Sequence, residues 1–142
     1  MGQAFVHRLR VRYAECDRQG VVFNAHYFAY FDVAMTELWR RAMGHYDAMI
    51  ERGVDMVVAE AQARFVEPAR FDDEIALEVA IERLGTTGST TRHRIVRDGD
   101  LLVEGVLRHV FVNPETLAKT PIPEWVREAL APYTVTPPTA TP

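Results

Sequence analysis

Residues 13–31 read YAECDRQGVVFNAHYFAYF, and the change of character inside this stretch decides the fold. Its first half carries two acids, Glu15 and Asp17, and the turn-permitting Gly20, whereas its second half is almost wholly apolar and aromatic. From residue 25 to residue 43 the polar Asp32, Thr36 and Arg40 fall four apart, with Glu37 and Arg41 beside them, so apolar side chains fill most of a helix's circumference. Asn24 stands where an N-cap belongs, and Gly44 ends the pattern. A helix this apolar has to be largely enclosed by other structure.

Working outward, residues 5–13 (FVHRLRVRY) alternate, with Phe5, His7, Leu9 and Val11 on one face, and predict a strand that leads into the turn. Beyond Gly44, HYDAMIER up to Gly53 predicts one or two further helical turns. The periodicity then changes to two. Residues 59–65 alternate and stop at Pro68, while Ile75, Leu77, Val79 and Ile81 oppose Glu74, Glu78 and Glu82. GTTG at 85–88 turns the chain, STTRHRIVR is β-branched, Asp98-Gly99 marks a hairpin, and LLVEGVLRHVFVN completes a long last strand. IPEWVREALAPY reads as a short amphipathic helix, and residues 133–142, which end in TVTPPTATP, as a flexible tail. The predicted fold is therefore α+β: a five-stranded, mostly antiparallel sheet wrapped around one long central helix, in a single domain over residues 1–132.

Composition narrows the function. The 142 residues suit one domain, and 48% hydrophobic side chains supply a core. A net charge of -4 argues against a nucleic-acid binder that works through bulk charge. The single Cys16 forms no internal disulfide, no run of 18 apolar residues suggests a membrane span, and no signal peptide or myristoylation site is visible; a cytoplasmic location is expected. Ser89 is the only serine and lies outside any nucleophile elbow, and Lys119 is the only lysine, in a Pro-flanked loop. The five histidines show no tight ligand spacing, so neither metal nor organic cofactor is expected.

What remains for chemistry is the turn. A carboxylate beside Val21, Val22 and Phe23 can act as general base or nucleophile, and a helix opening at Asn24 offers unpaired N–H groups and a positive dipole end to a developing oxyanion. The run Asp17-x-x-Gly20-Val21-Val22-Phe23-Asn24-x-x-Tyr27, after a strand ending in Arg12-Tyr13-x-Glu15 and before a long apolar helix, resembles the 4-hydroxybenzoyl-CoA thioesterase and YbgC-like branch of the hotdog-fold acyl-CoA thioesterases. The resemblance spans residues 6–113 and extends to Val112-Asn113-Pro114 before the loop of Lys119 and Pro121.

That resemblance implies hydrolysis of an acyl-CoA thioester, aromatic or short-chain, to a carboxylic acid and coenzyme A. Asp17 matches the catalytic carboxylate, as nucleophile or as general base, and the Asn24 N–H matches the group that polarises the thioester carbonyl. Gly20 matches the turn glycine and Tyr27 the aromatic at the helix start, and Val22 and Phe23 are expected to border the substrate. Many YbgC-like members carry His where this chain has Asn24, and His26 is no replacement by position: it is either a substrate contact or a surface histidine. Glu15 reads as a solvated or ion-paired charge at the strand end, and Cys16 as a small buried filler. A homodimer or homotetramer is implied, with the CoA phosphates held by some of Arg64, Arg70, Arg92, Arg94 and Lys119. The alternatives are a thioesterase for acyl-carrier-protein substrates and a non-catalytic acyl-CoA-binding dimer.

Overall fold

The computed structural model describes residues 2–45 and 47–135. Strand β1 (Phe5–Arg10) runs into a 3-10 turn (Tyr13–Glu15), then helices α1 (His26–Met43) and α2 (Ala48–Glu51). Four strands follow, β2 (Asp55–Phe65), β3 (Glu74–Leu84), β4 (Gly88–Arg97) and β5 (Asp100–Val112), and the described chain closes with α3 (Glu124–Leu130) and a second 3-10 turn, Ala131–Tyr133. The five strands form one sheet in the order β1-β3-β4-β5-β2, and every neighbouring pair is antiparallel. The first strand is shorter than its alternation suggests, because at Val11 the backbone leaves the ladder to bond Asp73. Of the segment read as a flexible tail, Tyr133 packs edge-on against Phe5, Thr134 bridges Ile81 and the Val135 N–H donates to Ile81 O. The rest of it lies outside the described residues.

The core forms where α1 lies on the sheet. Tyr27, Tyr30, Phe31, Ala34, Met35, Leu38 and Trp39 make up the buried face of the helix and meet Ile75, Leu77, Ile81, Ile95, Leu107 and Phe111 from the strands. Phe28, Ala29 and Asp32 on its other side are exposed, so the enclosure expected from its composition is incomplete in the single chain. One contact is unusually close. Gly105 of β5 sits under Phe31, and a Cβ there would lie 2.5 Å from Phe31 Cζ. Beside it a polar group is buried under the helix: Ser89, Thr91, His93 and His109, with His93 Nε2 and Thr91 Oγ1 sharing a 2.9 Å hydrogen bond. Burial and the neighbouring His109 push the His93 pKa down to about 3, and burial also lowers that of His109.

Strand β2 is an edge. Its partner on one side is β5, it has none on the other among the described residues, and Val57, Val58 and Phe65 are exposed along it. No helix of the described residues is long and apolar enough to cross a membrane.

Candidate functional site

The polar turn of residues 16–23 is a small closed hairpin. Cys16 bridges Val22, the Asp17 N–H donates to Val21 O, and the Gly20 N–H returns to Asp17 O. Gly20 takes φ 76°, the left-handed conformation that glycine accepts without a Cβ clash, so the turn's sequence requirement is met at that position. Asp17 shapes the turn as well. Its Oδ1 accepts the Gln19 N–H at 2.8 Å, an Asx-turn, and Oδ2 has no hydrogen bond among the described residues. The carboxylate therefore has one oxygen for geometry and one left over.

Beyond the hairpin the backbone enters α1. The helical conformation begins with Ala25 at the N-cap and His26 as the first residue, one residue later than the sequence pattern places it, and the Asn24 side chain makes no capping bond. The N–H groups of His26, Tyr27 and Phe28 donate to Phe23, Asn24 and Ala25 carbonyls. Those of Asn24 and Ala25 have no partner among the described residues, so two free donors stand at the positive end of an 18-residue helix.

A cavity of about 320 Å³ joins these parts. Asp17, Gln19, Val21, Val22, Phe23, Asn24 and Tyr27 line it from the turn and helix, and Phe65, Val66, Glu67 and Pro68 from the end of β2. Its wall is apolar and half open to solvent: Phe23 is 51% exposed and Phe65 50%. Tyr27 fixes this wall. Its ring lies 5.5 Å from that of Phe65, its hydroxyl accepts the Ala69 N–H at 3.0 Å, and the Ala69 carbonyl accepts the Val22 N–H. Both backbone groups of Ala69 are thus tied to the site. Val22 is 3% exposed, so it contributes core packing beneath the cavity more than surface.

Five expected residues, Asp17, Asn24, Val22, Phe23 and Tyr27, line the cavity, and Gly20 forms the turn beside it. His26 is not among the lining residues. It stands with its ring 5.7 Å from that of Tyr30 and its Nε2 3.9 Å from Glu15 Oε2. Of the two readings of Glu15, the ion-paired one holds and the solvated one does not. Glu15 is 6% exposed, and its Oε1 accepts the Arg12 N–H at 2.8 Å and the Tyr30 hydroxyl at 2.9 Å, while Oε2 takes the Arg12 guanidinium at 3.0 and 3.2 Å. Burial raises its pKa, but these hydrogen bonds and the Arg12 charge outweigh burial and hold the carboxyl below its ordinary value. Cys16 is partly exposed, and desolvation and the charges of Glu15 and Asp17 push its thiol up.

The wall at 65–68 was beyond reach of local sequence reading, because it arrives from a strand some forty residues downstream of Tyr27. Its one signal is an aromatic at the end of an alternating run just before Pro68. Of the five candidate phosphate cations, Arg64, Arg92 and Arg94 are spent on Glu104, Glu82 and Glu78. Arg70 bridges Val21 beside the cavity, whereas Lys119 bridges Val112 at the opposite end of the sheet.

Known proteins share the family and the fold of this chain. The sequence model described as the Thioesterase-like superfamily matches residues 11–130. An acyl-CoA thioester hydrolase of Escherichia coli, YbgC, is 30% identical over 117 residues, which are 82% of this chain and 87% of that protein. A crystal structure from Thermus thermophilus is 36% identical, covers 90% of this chain and 98% of its own, and superposes with a TM-score of 0.80. A gentisyl-coenzyme A thioesterase shares the fold with a TM-score of 0.79 at 24% identity, covering 89% of this chain and 99% of its own.

Proposed function

Because the chain belongs to the thioesterase-like superfamily and is a hydrolase of that kind, we propose that it cleaves an acyl-CoA thioester at the cavity beside α1. The observation that carries this reading is the pairing, on one apolar-walled cavity, of a carboxylate with a free oxygen and the helix-opening Asn24, whose N–H is unpaired among the described residues. In this reading the thioester carbonyl lies toward the Asn24 N–H. As charge builds on its oxygen, a fixed donor at a helix N-terminus stabilises it without reorganising. Asp17 Oδ2 either attacks the carbonyl carbon, giving an acyl anhydride that water then opens, or takes a proton from an attacking water; in both cases the products are a carboxylic acid and coenzyme A. Phe23, Phe65 and Tyr27 favour a flat aromatic or a short acyl group, a preference in keeping with the gentisyl-CoA specificity in the name of the structural relative.

In this reading the sheet wraps one long central helix fully only when two chains meet, and the unpaired β2 edge with its exposed Val57 and Val58 supports a homodimer, alone or as half of a tetramer. The enzyme works in the cytoplasm. The test is thiol release from aromatic, short-chain and long-chain acyl-CoAs. Turnover of one class, competed by free coenzyme A, is expected. Release only from acyl-carrier-protein thioesters, or acyl-CoA binding without release, would refute it.

A further inference from the structure

The hairpin that carries Asp17 is tied to the rest of the chain on two sides. On one, Val22 and Tyr27 hold Ala69, Val21 bridges Arg70 and the Gly20 carbonyl accepts the Phe71 N–H; on the other, the Phe23 N–H closes on Glu15 O. Glu15 is the point where three segments meet. Its backbone closes the hairpin, its Oε1 accepts from Tyr30 in the second turn of α1, and both its oxygens accept from Arg12 at the end of the first strand segment. Tyr30 is a rigid anchor, 2% exposed and packed edge-on against Tyr27 at 6.0 Å. A short polar chain therefore runs from the core of α1 to a residue two positions before Asp17.

The ionised carboxylate is stabilised where it stands, because the Arg12 N–H, the Arg12 guanidinium and the Tyr30 hydroxyl outweigh the cost of burying it. What the ionised group adds is direction, because a charge-assisted bond to a hydroxyl on a fixed ring tolerates little displacement. Reaction at a thioester is sensitive to such displacement, since a shift of about 1 Å in a reacting group can cost ~100-fold in rate.

We propose that Glu15 is the positioning residue of this site: through Tyr30 it fixes the Asp17 hairpin to α1, and turnover depends on that tie. Glu15 does not line the cavity, and it acts through Asp17 rather than on substrate. The proposal rests on the thioesterase reading for its rate effect and on geometry alone for the tie.

The test uses Glu15→Gln, which keeps shape and removes charge, and Tyr30→Phe, which removes one hydroxyl from a ring that stays packed. Each is made alone and with Asp17→Asn, and assayed well below the melting temperature of the least stable variant. Each single variant is expected to lower kcat about tenfold or more with KM within roughly twofold, and neither lowers the Asp17→Asn rate further, because residues that act as one unit are not additive. An unchanged kcat, or a loss that multiplies on the Asp17→Asn background, would overturn the proposal. Amide hydrogen exchange tests the tie without turnover. The Gln19, Gly20 and Phe23 amides, whose bonds hold the hairpin, should exchange at least about tenfold faster in both variants while β4 and β5 amides keep wild-type rates. No change at those three amides, or acceleration throughout the sheet, also overturns it. Absence of thiol release in the wild type, with the exchange result as expected, refutes the thioesterase reading and leaves the tie standing.

Discussion

Gly105→Ala adds one methyl group where α1 lies closest to the sheet. The new Cβ would sit 2.5 Å from Phe31 Cζ, 2.7 Å from Cε2 and 3.1 Å from the Gln62 carbonyl oxygen on the neighbouring strand. Carbon pairs rest at about 3.5–4.0 Å, so the ring has to retreat by about 1 Å. It has little room, since Phe31 is 1% exposed, with the His93 ring 4.9 Å away and Phe28 edge-on at 5.8 Å. Overpacking of this kind costs about 1–3 kcal/mol, and the lower entropy of alanine in the unfolded chain returns about 0.5–1 kcal/mol. The expected net loss is ~1–2 kcal/mol, or about 3–8 °C in melting temperature for a chain of this length. Urea denaturation of wild type, Gly105→Ala, Phe31→Leu and the double variant measures it. Leucine has no atom at the Cζ position, so alanine at 105 should cost much less beside it. A Gly105→Ala protein as stable as wild type, or an equal cost in both backgrounds, would show that the close approach of helix and sheet is misjudged.

Three further outcomes follow from the same structure. His93 and His109 are held neutral, so the unfolded chain takes up protons near pH 6.5 that the folded one refuses until about pH 3 for His93; stability should fall as pH drops through this window, by up to about 1.4 kcal/mol per unit for each histidine. Denaturation midpoints at pH 7, 6 and 5 show it, and a flat profile would contradict the burial of these rings. Tyr27→Phe strands the buried Ala69 N–H and should cost about 1–3 kcal/mol while raising KM, because the wall at 65–68 loses its anchor; an unchanged KM would detach that wall from the substrate. Sedimentation should find two or four chains per particle, and Val58→Asp on the exposed β2 edge should yield single chains; a wild-type monomer would rule out the proposed assembly.

Much of the fold was legible because its periodicities are strong. The four apart spacing of Asp32, Thr36 and Arg40 marks α1 to within one residue, and Ile75, Leu77, Val79 and Ile81 mark the face of β3 that packs on it. Turn chemistry located the hairpins, with Gly99 at φ 84° between β4 and β5. Where the structure departs from the pattern, other bonds override it. Arg12 and Tyr13 continue the alternation of the first strand, yet Val11 pairs with Asp72 and Asp73 and the Glu15 carboxylate, three residues on, captures Arg12, so the backbone enters a 3-10 turn. The ion pair of Glu15 with Arg12 is legible in the sequence; that the carboxylate is also buried follows from the hydroxyl of Tyr30, fifteen residues on.

The site was legible in part for the same reason. Asp17, Gly20, Asn24 and Tyr27 lie on consecutive turns of one segment, so their proximity is local. The wall of Phe65, Val66 and Pro68 depends on the strand order that places the end of β2 beside the hairpin, and no local pattern encodes it. His26, open in the sequence between a substrate contact and a surface histidine, stands partly exposed beside Glu15 and Tyr30 and does not line the cavity.

Asp17 carries the proposed chemistry, and its most direct test is thiol release by wild type and Asp17→Asn on the acyl-CoA that wild type prefers. The substitution keeps an oxygen to accept the Gln19 N–H, so the hairpin, the assembly and acyl-CoA binding are expected to persist while kcat falls by about three orders of magnitude. An Asp17→Asn protein that releases thiol at the wild-type rate would remove the carboxylate from the reaction and with it the mechanism proposed for this cavity.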